Sequence, residues 1–214
     1  MLLYQDDDLV VVNKPSGLLV HRGWARDPVV LMTMVRDQLG QWVYPVHRID
    51  RGASGAVLMA LRPEIAATLA KGFEQGTVGK TYLALVRGIT PDDGVIDHPV
   101  PRDDGVRVEA VTRYRRIDTF ERYSFVEVQP QQGRLHQIRR HMKHISHPLI
   151  GDVRYGKGEH NRRFREEFDM HRLALHAWQL GFDHPNGTRL TITAPLPEDL
   201  AGPFCRMGLH LPPG

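Results

Sequence analysis

Three short runs of this chain hold residue types that can do chemistry. The first is His47-Arg48-Ile49-Asp50-Arg51, which leads into Gly52-Ala53-Ser54-Gly55. Asp50 lies between two arginines in a loop of small residues that precedes an apolar stretch. A carboxylate is thus offered where a strand begins, beside cations that favour its ionised form. Such a carboxylate can act as a nucleophile or as half of an ion pair that fixes the loop, and the local pattern admits both. The second run is Lys80-Thr81-Tyr82, and the third is Gly133-Arg134-Leu135-His136-Gln137-Ile138-Arg139.

The elements that must position these runs follow from periodicity. In Gly133 to Ile145 a turn feeds a helix, with Ile138, Met142 and Ile145 falling on one face toward the core. Arg139 is one residue off that stripe and can turn inward toward a buried carboxylate or remain a surface cation. Arg140 and Lys143 lie further out, toward solvent or phosphate. His141, His144 and His147 recur every three residues, but neighbouring Arg140 and Lys143 would repel a metal ion, so phosphate contact or plain solvation is expected. Asp6 to Asp8 are read as a solvated turn between two strands, not a magnesium site.

Leu9 to Asn13 reads as a strand ended by Lys-Pro-Ser-Gly, with a return strand over Leu18 to Val20 completing an N-terminal hairpin. A helix runs from Val30 to Gly40, a central strand over Ala56 to Leu61, and a helix from Pro63 to Gly76. Lys80 to Val86 alternates as a strand should. Arg107 to Ile117 and Tyr123 to Val128 form one antiparallel pair, and Leu173 to Phe182 and Arg189 to Thr193 form another across His-Pro-Asn-Gly. Strands outnumber helices and do not alternate with them regularly. The expected class is therefore α+β with a mainly antiparallel sheet flanked by helices and loops, in a single domain spanning 1–214.

With 214 residues, 41% hydrophobic and 25% charged, the chain is an ordinary globular one. Its one cysteine, Cys205, cannot form an internal disulfide, and no apolar stretch approaches the roughly 18 residues of a membrane span. Three aspartates near the start argue against a signal peptide. A cytoplasmic protein with no membrane partner is expected. Net charge is only +3, yet residues 134–172 hold ten Lys and Arg against five Asp and Glu. The six histidines of that segment would add positive charge beside a polyanion, so a phosphate-rich partner is the reading. The rival is a self-neutralising helix face around Arg162 to Arg165 and Glu166-Glu167.

Four motifs in order, HRIDRGASG, KTYLALVRG, GRLHQIRRH followed by HPLIGD, and LALHAWQL, resemble the RluA family of pseudouridine synthases, from NKPSG to ITAP. Ile49 replaces a more usual leucine, and Gly52-Ala53 departs from the common pattern. The opening LVVVNKPSGLLVHRGW and the stretch GDVRYGKGEHNRRFREEFDMHRLALHA are most similar to the branch that modifies tRNA and lacks an appended RNA-binding domain. The resemblance implies the family's catalytic-domain fold and isomerisation of uridine to pseudouridine, at uridine 65 in the acceptor and T-stem region of tRNA, with no cofactor. By motif match, Asp50 would be the nucleophile, Tyr82 would lie against the uracil and help remove a proton, and Arg139 would pair with Asp50. Arg48 would enter the stack vacated by a flipped base. The expected RNA-binding set is His47, Arg48, Arg51, Arg134, His136, Gln137, Arg140 and Lys143. A monomer with no obligate protein partner is expected. The alternatives are an enzyme for a large-subunit rRNA uridine and a non-catalytic RNA-binding module. The presence of Asp50, Tyr82 and Arg139 together disfavours the second, since binding alone needs none of them.

Overall fold

A computed structural model describes residues 1–22 and 27–213. Gly23 and Trp24, the last two residues of LVVVNKPSGLLVHRGW, lie outside the described residues, as does Arg26. In chain order the elements are β1 (Leu2–Gln5), β2 (Leu9–Lys14), α1 (Leu31–Leu39), β3 (Tyr44–Pro45), β4 (Ser54–Ala60), α2 (Pro63–Gln75), β5 (Gly79–Arg87) and β6 (Asp93–Asp97). They continue with β7 (Val100–Pro101), β8 (Arg107–Val108), β9 (Val111–Phe120), β10 (Tyr123–Pro130), α3 (Gln137–His144), α4 (Gly158–Phe168), β11 (Leu175–Asp183), β12 (Arg189–Thr193) and α5 (Glu198–Arg206). This is the α+β class with mainly antiparallel pairing that the sequence predicts. Among the described residues no helix is long and apolar enough to cross a membrane.

The chain forms two compact units, one of Met1–Gly79 with Ala177–Pro195, the other of Lys80–His176 with Leu196–Gly214. In the first, β2 pairs antiparallel with β1 and β4, β3 pairs with β4, and β11 pairs with β12. β4 is buried at every position, which explains why Ser54-Gly-Ala-Val-Leu-Met-Ala60 is an unbroken small and apolar run and not an alternating one. Leu9 and Val11 of β2, with Ala56, Leu58 and Ala60 of β4, present one face to Ile65 and Leu69 of α2 and to Leu180 and Phe182 of β11. These are the period-two and period-3.6 positions of their elements.

The N-terminal hairpin is β1 with β2, and its turn is Asp6 to Asp8. The Asp6 carboxylate accepts the backbone N–H groups of Asp8 and Leu9 at 2.8 and 2.9 Å, as a local turn does. The return strand expected over Leu18 to Val20 does not form. The carbonyls of Leu19 and Val20 instead accept the N–H groups of Leu31 and Met32, satisfying donors that the first turn of α1 leaves without helical partners.

In the second unit β10 pairs antiparallel with β5 and β9, β9 pairs with β6, and β7 pairs with β8. The strand expected over Arg107 to Ile117 is thus two, β8 and β9, separated at Glu109-Ala110 and paired to different partners. Phe164 of α4 meets Tyr123 of β10 edge to face at 4.7 Å, and Phe204 of α5 packs at 5.1 Å on Phe125 of the same strand. Both rings are essentially solvent-free, and burial of such a side chain stabilises by about 1.5–3 kcal/mol. α5 was hidden in the sequence by Gly202-Pro203, which reads as a break yet lies inside the helix.

Gly55 shows how tightly β4 and β11 approach. Its φ is +117°, and a Cβ there would sit 2.2 Å from the carbonyl oxygen of Ala177. Gly55→Ala is expected to lower stability by roughly 2–5 kcal/mol, combining a strained backbone with an overpacked contact. Urea denaturation of the variant measures this, and a midpoint equal to the parent's would show that the strands can part at this point without cost.

Candidate active site

The sequence-predicted residues divide between the two units. His47, Arg48, Asp50 and Arg51 share the loop between β3 and β4 in the first. Tyr82 on β5 and the residues on and before α3 belong to the second.

The Asp50 loop is fixed on both sides. Lys14, the last residue of β2, is fully buried, and its ammonium donates to the carbonyls of Pro15, Leu18 and Arg51 at 2.8, 2.7 and 3.2 Å. A buried ammonium is tolerated only with such acceptors. Gly17 N–H donates to the Arg51 carbonyl at 2.8 Å, and Ser16 Oγ to the Gly52 carbonyl at 2.7 Å. The Lys-Pro-Ser-Gly turn is therefore joined to the residues that directly follow Asp50. Before Asp50, the His47 ring stacks on Phe73 at 4.5 Å, and its Nε2 accepts the Leu58 N–H of β4 at 2.9 Å. That bond requires a lone pair on Nε2. Ile49 is buried, and the Ala53 N–H closes a turn on the Asp50 carbonyl at 3.1 Å. Asp50 itself is half-buried, Arg48 is exposed, and the Arg51 guanidinium binds the Asp27 carboxylate at 2.6 Å. His47 thus serves the loop's structure. Lys14 was missed as a site residue; the sequence signal was a lysine ending a strand that opens on four apolar residues, directly before Pro-Ser-Gly.

In the second unit, Tyr82 is half-buried in the middle of β5, opposite Val128 of β10. Two residues earlier on the same face, the Lys80 ammonium donates to the Gln131 carbonyl at 3.1 Å, and burial holds its pKa below the usual lysine value. Arg139 turns inward from the edge of α3, as its position allows. Its Nε and Nη2 donate to the two oxygens of Asp152 at 2.7 and 2.9 Å. Asp152 has no exposed side-chain surface and also accepts the N–H groups of Arg154 and Tyr155 at 2.9 and 3.0 Å. Burial alone would raise its pKa; the Arg139 hydrogen bonds, the two backbone donors and the Arg139 charge outweigh that and hold it below the ordinary carboxylate value. The preceding Gly151, at φ +76°, admits no side chain, because a Cβ would meet the Arg172 carbonyl at 1.9 Å. Asn161 of α4 accepts Gly151 N–H and donates to the Asp152 carbonyl, anchoring this turn. Asp152 was not singled out from sequence, although it ends the HPLIGD motif.

The remaining members have distinct environments. Gln137 is buried; its amide accepts Arg134 N–H and donates to the Val111 carbonyl and the Thr112 hydroxyl, so it braces α3 against β9. Arg134 and Lys143 are exposed, and His136 and Arg140 half-buried. His136 Nδ1 and Arg140 Nε each lie 3.1 Å from the Tyr155 hydroxyl. Two expectations from the basic segment need correction. His141 is neither solvated nor available to phosphate: it is fully buried between the Thr112 hydroxyl and the His98 carbonyl, each at 2.8 Å, and burial depresses its pKa. His160 is likewise buried on the Tyr123 hydroxyl, its pKa lowered by burial. Arg163 is bound to Glu121 and Glu167, so that part of the Arg162 to Arg165 stretch neutralises itself. Among the described residues no group of three or more His, Cys, Asp or Glu could hold a metal ion.

The depressed Asp152 pKa gives a signed prediction. A carboxylate whose folded pKa lies below its unfolded one stabilises fully above the unfolded value, about 3.9, and the stabilisation is lost as pH falls through the folded value. Asp152→Asn should cost about 3–5 kcal/mol at neutral pH by breaking its buried, bidentate ion pair with Arg139. Its stability should also fall less steeply than the parent's on acidification below about pH 4, where Asp152 of the unfolded parent chain begins to protonate while the folded carboxylate resists. Urea titrations across that range check this, and equal acid slopes would remove Asp152 from the account.

The model of the RNA pseudouridylate synthase family matches residues 8–144 of the chain. A tRNA pseudouridine synthase C of Haemophilus ducreyi is 40% identical over 98% of this chain and 96% of its own length. One from Pectobacterium carotovorum is 46% identical over 90% of this chain, which spans 58% of that relative. Among solved structures, human RNA pseudouridylate synthase domain-containing 4 superposes with a TM-score of 0.81 at 25% identity, covering 99% of this chain and 94% of that one. Human RNA pseudouridylate synthase domain-containing 1 gives 0.77 at 26%, covering 93% and 85%. With the matched region taking in the Asp50 loop, Tyr82 and all of α3, the chain belongs to the RNA pseudouridylate synthase family.

Proposed function

We propose that this chain isomerises uridine to pseudouridine in tRNA, at uridine 65, with Asp50 as the nucleophile. The observation that carries the chemistry is the Asp50 loop, where a half-buried carboxylate is presented between neighbours that are each tied into the first unit. The names of the relatives support tRNA as the substrate, and the motif match supports uridine 65. The reaction breaks the N1–C1′ bond and forms a C5–C1′ bond within one nucleotide; C5 loses a proton and N1 gains one. Atoms balance without a co-reactant. A stem uridine must first leave its stack, at a cost of a few kcal/mol. Arg48, exposed beside Asp50, suits the role of filling the gap. Tyr82 is assigned to the uracil face and to proton removal, and Arg139 to pairing with Asp50. Exposed Arg134 and Lys143, with Arg140, supply phosphate contacts. A lone, exposed cysteine suits a reducing cytoplasm. We place the enzyme there as a monomer.

Asp50→Asn should abolish isomerisation while changing tRNA affinity by less than about threefold, because size and phosphate contacts are kept. Tritium release from uridine-labelled tRNA measures the first and filter binding the second; appreciable product from the variant removes Asp50 from catalysis. Arg139→Met should affect rate more than binding. The target is checked by mapping pseudouridine in RNA from a deletion strain, where loss at an rRNA position with position 65 of tRNA intact would redirect the assignment.

Each cation that contacts phosphate releases counterions. Lys143→Gln should therefore lower the slope of log affinity against log salt by about 0.7–0.9. An unchanged slope would place Lys143 outside the RNA footprint.

A further inference from the structure

Tyr155 is the centre of a group of cations in the second unit. Its hydroxyl oxygen is 3.1 Å from Arg140 Nε and 3.1 Å from His136 Nδ1. Arginine only donates, so the oxygen accepts from Arg140, and the hydroxyl shares a second hydrogen bond with the imidazole nitrogen. The Tyr155 ring lies against Arg139, Arg154 and Lys143, whose charged groups are 5.1, 5.5 and 5.9 Å from its centroid, within cation–π range. Tyr155 is itself fixed through its N–H to Asp152 Oδ1, and Gly156 N–H closes the turn on the Asp152 carbonyl at 3.0 Å.

The geometry restrains Arg139 in complementary ways. Bidentate bonding to Asp152 fixes one edge of the guanidinium within its plane but leaves tilt about that edge. The Tyr155 ring, whose centroid is 5.1 Å from the Arg139 Cζ, limits that tilt. His136, at the head of α3, has φ +54°, a conformation uncommon for a residue with a side chain. Its ring meets Tyr155 edge-on at 5.6 Å, so the same tyrosine helps to hold the backbone where α3 begins. Strained backbone of this kind persists only where surrounding contacts over-determine it.

We propose that Tyr155 is a positioning residue for the isomerisation: its ring sets the plane of Arg139 and its hydroxyl aligns His136 and Arg140 for phosphate. The role rests on the function proposed above. It separates two effects, because rate depends mainly on the ring and affinity on the hydroxyl.

The test compares Tyr155→Phe with Tyr155→Leu by single-turnover rate at saturating tRNA, by dissociation constant at fixed salt, and by thermal unfolding. Both variants should bind about threefold more weakly, having lost the same hydroxyl. Tyr155→Phe should slow the chemistry by about two- to fivefold, and Tyr155→Leu by about thirtyfold or more, as misplacement of a positioned group does. Equal rates for the two variants, or a Tyr155→Leu that is less stable yet reacts at the parental rate, overturn the proposal. Should Tyr155→Leu fail to fold, Tyr155→Phe decides: a rate loss beyond about tenfold or an unchanged dissociation constant overturns it. A parent inert on tRNA but active on an rRNA fragment overturns the tRNA assignment alone, and the variants are then compared on that RNA. A parent inert on both overturns the proposed function and this role with it.

Discussion

A carboxylate without solvent access must find all its hydrogen bonds inside the protein, and Asp152 finds four: two from the Arg139 side chain and two from backbone N–H groups of its own turn. The arrangement at the head of α3 depends on this. Arg139 can leave the exposed face of its helix because a compensated anion awaits it. The turn that supplies Arg154 and Tyr155 keeps its shape because the same anion binds its N–H groups. Breaking such a pair by removing one partner is far costlier than the pair's net contribution. The interaction therefore specifies geometry more than it adds stability.

The first unit solves the converse problem with a cation. The Asp50 loop and the Lys-Pro-Ser-Gly turn are irregular backbone, and their carbonyls lack ladder partners. Buried Lys14 gathers three of those carbonyls. In both units a buried charge, placed under a loop, gives the backbone above it one conformation. The loops that carry candidate chemistry are thereby defined without regular secondary structure.

Charge in the segment 134–172 has two uses that composition cannot separate. Part of it is structural: Arg139 on Asp152, Arg163 on two glutamates, and His141 and His160 buried on hydroxyls and a carbonyl. What faces solvent is a smaller set that includes Arg134, Lys143 and Arg154. Histidines kept neutral by burial add nothing to a polyanion-binding field. Asp152 is buried and the segment's other four acidic residues are exposed, so the field is positive through the excess of ten cations over five anions.

Local patterns determined much of this protein. Unbroken or alternating apolar runs placed β2, β4, β5 and β10, helical spacing placed α1 and α2 with Gly40 and Gly76 at their ends, and four motifs in order carried the family. These features are set by neighbours within a few residues, so a sequence displays them. The return strand at Leu18 to Val20 was misread because the carbonyls of Leu19 and Val20 are claimed by the start of α1, twelve residues on. His141 was misread because its partners, Thr112 and His98, are 29 and 43 residues away. Lys14 and Asp152 were passed over because whether a charge is buried and balanced depends also on partners far along the chain, the Arg51 carbonyl for one and the Arg139 guanidinium for the other. Periodicity reports the face of an element. Only the tertiary structure decides which polar atoms meet there, because desolvation makes an unpaired charge costly and leaves a few long-range arrangements able to satisfy it.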